Sequence, residues 1–387
     1  MILLFIALTL SISASCASDN ISLDETGDIL TSQDFNEYLS INDNNHISEN
    51  NINSSFSDLS AEINSASQNI ELTNDYAFNE ESDGDYVKGI LISKNDFVIN
   101  GNNHIIDAKN KAGLFTIIAN NVTLNNIIFK NSNDVALNIT GIGIVTNNVT
   151  FMNCGINNTQ GGAIHLFNST YESNNDKFID NYAKYGSAIY AMESNVTVSN
   201  GMFKNNKSID WALIYGTGSD LNINNTVFAN ITSRYATAVY GWYSTTQIRN
   251  SKFQNLFANI TAGAIGLKIS FSTIENCEFI NVSSSRNGGA IFADFGSYEC
   301  IVNLNNALFE NCSSQFGGAY LHLSGTCLIT NSTFKNNFAD YDGGAVYIST
   351  ADVEIIDSTF TDNNGKTYNV KISYGKNLVK TTVKVKR

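Results

Sequence analysis

The chain has 387 residues, 43% of them hydrophobic, with 27 Gly, no Pro and only 15% charged residues. That apolar content supports a sizeable core and excludes a wholly disordered chain. The formal net charge is −14, yet residues 18–90 hold sixteen acidic residues against one basic residue, Lys88; the remainder is near neutral, with 21 basic and 20 acidic residues, and offers no basic patch for nucleic acid.

Residues 1–17 read as a secretory signal peptide. An apolar run, Ile2–Leu10, leads to the small residues Ser13, Ala14, Ser15, Cys16 and Ala17, and it is too short to span a membrane as a stable helix. No Lys or Arg precedes it. Ser-Ala-Ser-Cys also admits a lipid-attachment reading of Cys16, against which stands Ser13 where an apolar residue is wanted. No later stretch has the length and apolarity of a transmembrane helix. Residues 18–55 are polar and acidic without a sustained period, which predicts a disordered linker or removable pro-segment. Phe56, Leu59 and Ile63 then fall at i, i+3 and i+7, the apolar face of a short helix.

A repeat governs the rest. Phe followed two residues later by Asn or Asp recurs ten times, at Phe129, Phe151, Phe178, Phe203, Phe228, Phe253, Phe279, Phe309, Phe334 and Phe360. The spacing stays near 25 residues, a solenoid period. Leu-x-x-Leu-x-Leu is absent. The segments between turns are short and β-branched, such as VTL at 122–124 and VEII at 353–356, with Asn, Gly, Asp and Ser between them. Three short strands and three turns per unit make one coil of a parallel β-helix, and parallel crossovers make it right-handed.

Stacked coils place each position above its equivalent at about 4.8 Å. The Phe column predicts an interior aromatic stack. The Phe+2 column, Asn131, Asn153, Asp180, Asn205, Asn230, Asn255, Asn281, Asn311, Asn336 and Asp362, predicts an internal amide ladder. "GGAIH" at 161–165 returns as "GGAIF" at 288–292, "GGAYL" at 317–321 and "GGAVY" at 343–347. Its Ile column faces the core and the next residue faces outward. That outward column contains Tyr190, Tyr215 and Tyr240, the candidate ligand-binding strip. Residues 56–363 are thus the β-helix with its N-terminal cap. Residues 364–387, rich in Lys, predict either a β-hairpin cap or the first strands of a further domain.

The GGAI and Phe-x-Asn repeats resemble those of polymorphic-outer-membrane-protein-like surface β-helices. "FSDLSAEINSASQNIELTNDYAF" (56–78), "ILISKNDFVINGNNHIIDA" (90–108) and "NNVTLNNIIFKN" (120–131) look like the opening of methanogen (archaeal) adhesin-like proteins. The resemblance covers roughly residues 56–363. It implies a secreted or cell-surface, non-catalytic protein attaching to a glycan or protein receptor, with no cofactor.

Candidate chemistry is sparse. Hydrolysis of glycosidic bonds needs paired carboxylates, and Asp340 with Asp342 is the densest acidic pair, most simply a turn. His104, His165 and His322 are isolated in sequence, so no metal site is expected. Arg234, Arg249 and Arg286 read as surface charges. Beyond Cys16, five cysteines remain: Cys154, Cys277, Cys300, Cys312 and Cys327. Cys300 and Cys327 sit at similar offsets from their Phe markers and could pair; the alternative is that all five are buried small side chains. Sequons such as Asn121, Asn138 and Asn259 could carry glycans in an exported protein. No constellation identifies an enzyme. The expectation is therefore an adhesin, with a polysaccharide lyase or hydrolase, or an inert spacer, as alternatives.

Overall fold

A computed structural model describes residues 54–294 and 300–373, together with the backbone strand Val383–Lys386. The signal segment 1–17, with Cys16, and nearly all of the acidic stretch 18–55 lie outside the described residues.

The chain is a parallel β-solenoid. Its strands form three long sheets, called here sheets 1, 2 and 3. Sheet 1 has 19 strands and carries the Phe column; sheets 2 and 3 have 12 strands each. Sheet 2 holds the VTL-type segments and sheet 3 the GGAI-type segments. Register is equivalence by coil: Phe151 pairs with Phe178, and Ile164 pairs with Ile189.

The interior follows from that register. From Phe129 to Phe360 the rings stack at centroid distances between 4.6 and 5.5 Å. Each ring is fully or almost fully buried, beside the equally buried Ile and Ala columns of sheet 3. Offset ring pairs contribute roughly 0.5–1.5 kcal/mol each beyond their area burial. The double glycine of the repeat has two separate causes. Gly288 adopts φ +63°, the left-handed region. At Gly289 a Cβ would lie 1.7 Å from the Gly318 carbonyl oxygen of the next coil, so only glycine fits.

Helix α1, Phe56–Ser65, closes the N-terminal end. Ser55 and Asp58 form a reciprocal capping box, and Phe56, Leu59 and Ile63 are buried against the first coils. Asp83 accepts from the Phe56 and Ser57 amides at 2.9 and 3.0 Å. Burial pushes its pKa up, but hydrogen bonds from Ser57, Asn79 and Phe56 together outweigh this and hold it below the ordinary value.

Three expectations need correction. The C-terminal strands are not a hairpin: Val370–Ser373 pairs in parallel with Val346–Ser349 in sheet 3, and Val383–Lys386 pairs in parallel with Ser358–Thr361 in sheet 1, so both continue the solenoid. The Phe+2 ladder exists but is not internal. Asn255, Asn281 and Asn311 donate along it at 3.1–3.3 Å, and all three are exposed with φ between +54° and +56°. They occupy a left-handed corner that Asn tolerates. The buried amides lie one residue later, at Asn181, Asn206, Asn337 and Asn363; Asn181 Nδ2 donates to Asn206 Oδ1 at 3.0 Å and to the Phe151 carbonyl at 3.0 Å. Cys300 and Cys327 do not pair. Cys300 is level with Gly325 and Cys327 with Val302, an offset of two residues that separates their Cα atoms by about 8 Å, beyond disulfide reach. All five described cysteines are free and buried.

Candidate functional site

The outer face of sheet 3 carries the densest surface chemistry. Strand alternation turns Ile189, Ile214 and Val239 inward and Tyr190, Tyr215 and Tyr240 outward, in register. His165 joins the same column. The ring centroids are 5.4 Å apart for His165–Tyr190, then 5.3 Å for Tyr190–Tyr215 and for Tyr215–Tyr240. The strip is outward but largely covered. Tyr190 and Tyr240 are 5% and 7% exposed, and Tyr215 is half-buried. Trp211 provides part of the cover, stacking 4.4 Å from Tyr235 and 4.3 Å from Tyr240. Burial pushes the Tyr215 phenol up to about 12 and raises Tyr190 and Tyr240 as well, so all three remain neutral donors at physiological pH.

At the His165 end the strip opens into a cleft of about 710 Å³. Lys88, Asp134, Asn138, His165, Lys184 and Tyr185 are among its lining residues. Lys88 Nζ is 2.8 Å from Asp134 Oδ2, which raises the lysine pKa by hydrogen bonding and charge. His165 Nδ1 is 3.1 Å from Asn138 Oδ1. With the amide oxygen accepting from Nδ1–H, the lone pair is on Nε2. Burial lowers the His165 pKa, partly opposed by Asp134, and keeps the ring neutral at pH 7. The Lys184 ammonium lies 5.1 Å from the Tyr185 ring centroid. Two lysines and one aspartate leave the lining with one excess positive charge, on a chain of net charge −14.

The other singled-out residues are scattered. His104 Nδ1 meets Asp75 at 2.9 Å near the capped end. His322 is buried, its Nδ1 2.5 Å from the Tyr320 hydroxyl, and burial lowers its pKa to about 4. Arg234 and Arg249 pair with Asp210 and Glu275 on the surface. The Asp342 backbone carbonyl accepts from Gly317, placing it in the turn that opens a GGAI strand. Among the described residues no three His, Cys, Asp or Glu side chains form a metal-binding group. No described helix is long and apolar enough to cross a membrane. Sequence reasoning missed Lys88, Asp134, Lys184 and Tyr185. Lys88 and Asp134 lie in the turns before their sheet 3 strands, and Lys184 and Tyr185 at the end of the sheet 1 strand Tyr182–Tyr185, so only an alignment of these corners coil by coil would have grouped them.

No protein-family profile matches the chain. Over 125 residues it is 34% identical to "Metabotropic glutamate receptor-like protein R" of Dictyostelium discoideum, a match covering 31% of this chain and 7% of that protein. Over 90 residues it is 39% identical to "Probable autotransporter YfaL" of Escherichia coli (strain K12), covering 21% and 7%. The chain thus spans a small fraction of either relative. Among solved structures it is similar to a catalytic domain of a GH87 alpha-1,3-glucanase in complex with tetrasaccharides, with TM-score 0.52 and 14% identity over 87% of this chain and 66% of that one. This corrects the expectation of a non-catalytic protein at the level of the fold: in that glucanase a solenoid similar to this one is a catalytic domain.

Proposed function

We propose that this protein is a secreted or surface β-helix that binds polysaccharide in the cleft at the His165 end of the outer face of sheet 3 and acts on it there. The observation that carries the reading is the continuity of the aromatic column with a cationic, histidine-bearing cleft. Hydrolysis by acid and base needs two carboxylates, and Asp134 is the single carboxylate among the described lining residues. Elimination on a uronate chain needs a neutral base and cations that offset the sugar carboxylate. His165 Nε2 suits the first role, and Lys88 and Lys184 the second. The base removes the proton α to the carboxylate, the C4–O bond breaks, and a C4–C5 double bond forms. The proton needed by the leaving oxygen would come from Tyr185 or water.

The similarity to an autotransporter, together with the adhesin-like repeats, supports a second use of the same face, attachment to a glycan on another cell. One experiment addresses both. The full chain is incubated with polygalacturonate, alginate and α-1,3-glucan while absorbance at 235 nm, new reducing ends and retention on the polymer are followed. Elimination raises the 235 nm signal on an acidic polymer, and His165→Ala or Lys184→Ala removes at least 90% of the rate with melting temperature retained. Reducing ends without 235 nm absorbance would replace elimination by hydrolysis. Retention without products would leave attachment alone, and neither retention nor products would end the proposal.

A further inference from the structure

A second cleft, of about 740 Å³, lies at the corner where sheet 3 passes into sheet 2. Every coil here turns through one left-handed residue. Its occupants, coil by coil, are Asn168, Glu193, Gly218, Tyr243 and Ile269, with φ between +47° and +60°. The geometry is imposed from below. The next residues, Ser169, Ser194, Ser219 and Ser244, form a buried ladder in which each amide donates to the following hydroxyl at 3.1–3.2 Å.

Left-handed backbone favours Gly and Asn and disfavours bulky side chains. Tyr243 and Ile269 break that preference in two successive coils. Tyr243 is 51% exposed, and Phe271, on the strand that follows Ile269, is 57% exposed. Trp242, with its ring centroid 5.8 Å from that of Tyr243, is also exposed. On the previous coil Gly218 occupies the corner, with only Glu193 Cγ near its Cβ position, and leaves space open beside Tyr243. Asp220 and Thr245 stand level with Phe271 on the sheet 2 side.

We infer that this corner is a binding site for a neutral hexopyranose chain, distinct from the His165 cleft. Flat apolar rings match the C–H face of a pyranose. The Asp220 carboxylate and the Thr245 hydroxyl match its ring hydroxyls. Asp220 also repels a sugar acid, so the ligand class is neutral, opposite to that proposed for the lysine-bearing cleft. An exposed tyrosine held in unfavourable backbone beside an open cleft is what a recognition site retains against stability.

The test uses the full chain carrying Trp211→Phe, which leaves Trp242 as the one tryptophan. Cellohexaose, maltohexaose and mannohexaose are titrated while Trp242 emission is recorded. At least one should give a saturable spectral shift. Phe271→Ala and Tyr243→Gly should each weaken the apparent affinity tenfold or more. Tyr243→Gly should meanwhile leave the melting temperature unchanged or higher, since glycine suits the corner; a purely structural Tyr243 would not give binding loss with stability kept. Trigalacturonate should give no saturable shift. Lys184→Ala should leave the titration untouched, which separates failure here from failure at the His165 cleft. No saturable shift with any of the three neutral probes, or a shift insensitive to both variants, overturns the inference.

Discussion

Two aromatic stacks run along this solenoid, one inside and one outside. The inner stack keeps a Phe in ten successive coils, each ring at most 3% exposed. The outer stack keeps the same order of spacing but lasts four coils, from His165 to Tyr240. It ends at Gly266, where a Cβ would lie 2.8 Å from the Tyr240 ring. Coil stacking sets the ring spacing in both, so stacking alone is no sign of function. Persistence through every coil marks packing. Interruption, and the cleft that opens at the His165 end, mark the surface free to vary.

The sharpest way to break this comparison is to remove one ring from each stack. Phe228→Ala should cost about 3–5 kcal/mol, because its neighbours cannot collapse into the gap without breaking register. Tyr215→Ser, half-buried, should cost about 1 kcal/mol. Urea midpoints at unchanged slope measure both, and equal losses would make the outer stack as structural as the inner.

Acidity tests the interior next. Asp176 is buried inside, accepting from the Val149 amide at 2.7 Å and the Ser173 hydroxyl at 2.7 Å, with the Thr146 hydroxyl also bound. Burial raises its pKa to about 6, outweighing those hydrogen bonds. The folded state therefore holds this proton more tightly than the unfolded chain. Its contribution is present in full below about pH 4 and is lost as pH rises through 6, a fall of roughly 3 kcal/mol. Asp176→Asn should flatten that part of the stability–pH curve and raise the melting temperature at pH 7. A pH dependence unchanged by the substitution would mean that the carboxyl ionises freely where it sits.

The two amide columns give the finest discrimination. Asn206 is buried, its Nδ2 donating to the Phe178 carbonyl at 2.7 Å and its Oδ1 accepting from Asn181. Asn206→Ala should cost about 1–3 kcal/mol, since those partners stay buried. Asn255→Gly, at an exposed left-handed corner, should change stability by no more than about 0.5 kcal/mol. Thermal melts of the two variants side by side would reverse the assignment if the second fell further than the first.

That same pair shows how far the sequence could be read. The Phe and Ile columns were legible to the residue, as was the Phe56–Leu59–Ile63 face, because each obeys a single period. The Phe+2 amides were placed on the wrong side because coil stacking shows that a column forms a ladder but not which side of a corner it takes. One left-handed residue re-aims the chain, so Phe+3 enters the core instead. Cys300 and Cys327 were misjudged by two residues of register, which offsets from neighbouring Phe markers do not resolve when turns differ in length. The His165 cleft was missed since Lys88, Asp134, His165 and Lys184 come from separate coils and share no local motif; only alignment of their corners coil by coil brings them together.

The buried thiols give the molecule a built-in set of opening sensors. Burial pushes Cys154, Cys277, Cys312 and Cys327 up to about 12 and Cys300 up to about 11. At neutral pH almost none of each is thiolate, the reactive form, and none is within reach of a reagent while its coil is closed. Alkylation at each position is then a clock for the transient opening of that coil alone. Five clocks spread from Cys154 to Cys327 would time the breathing of the solenoid along its axis, with no label added.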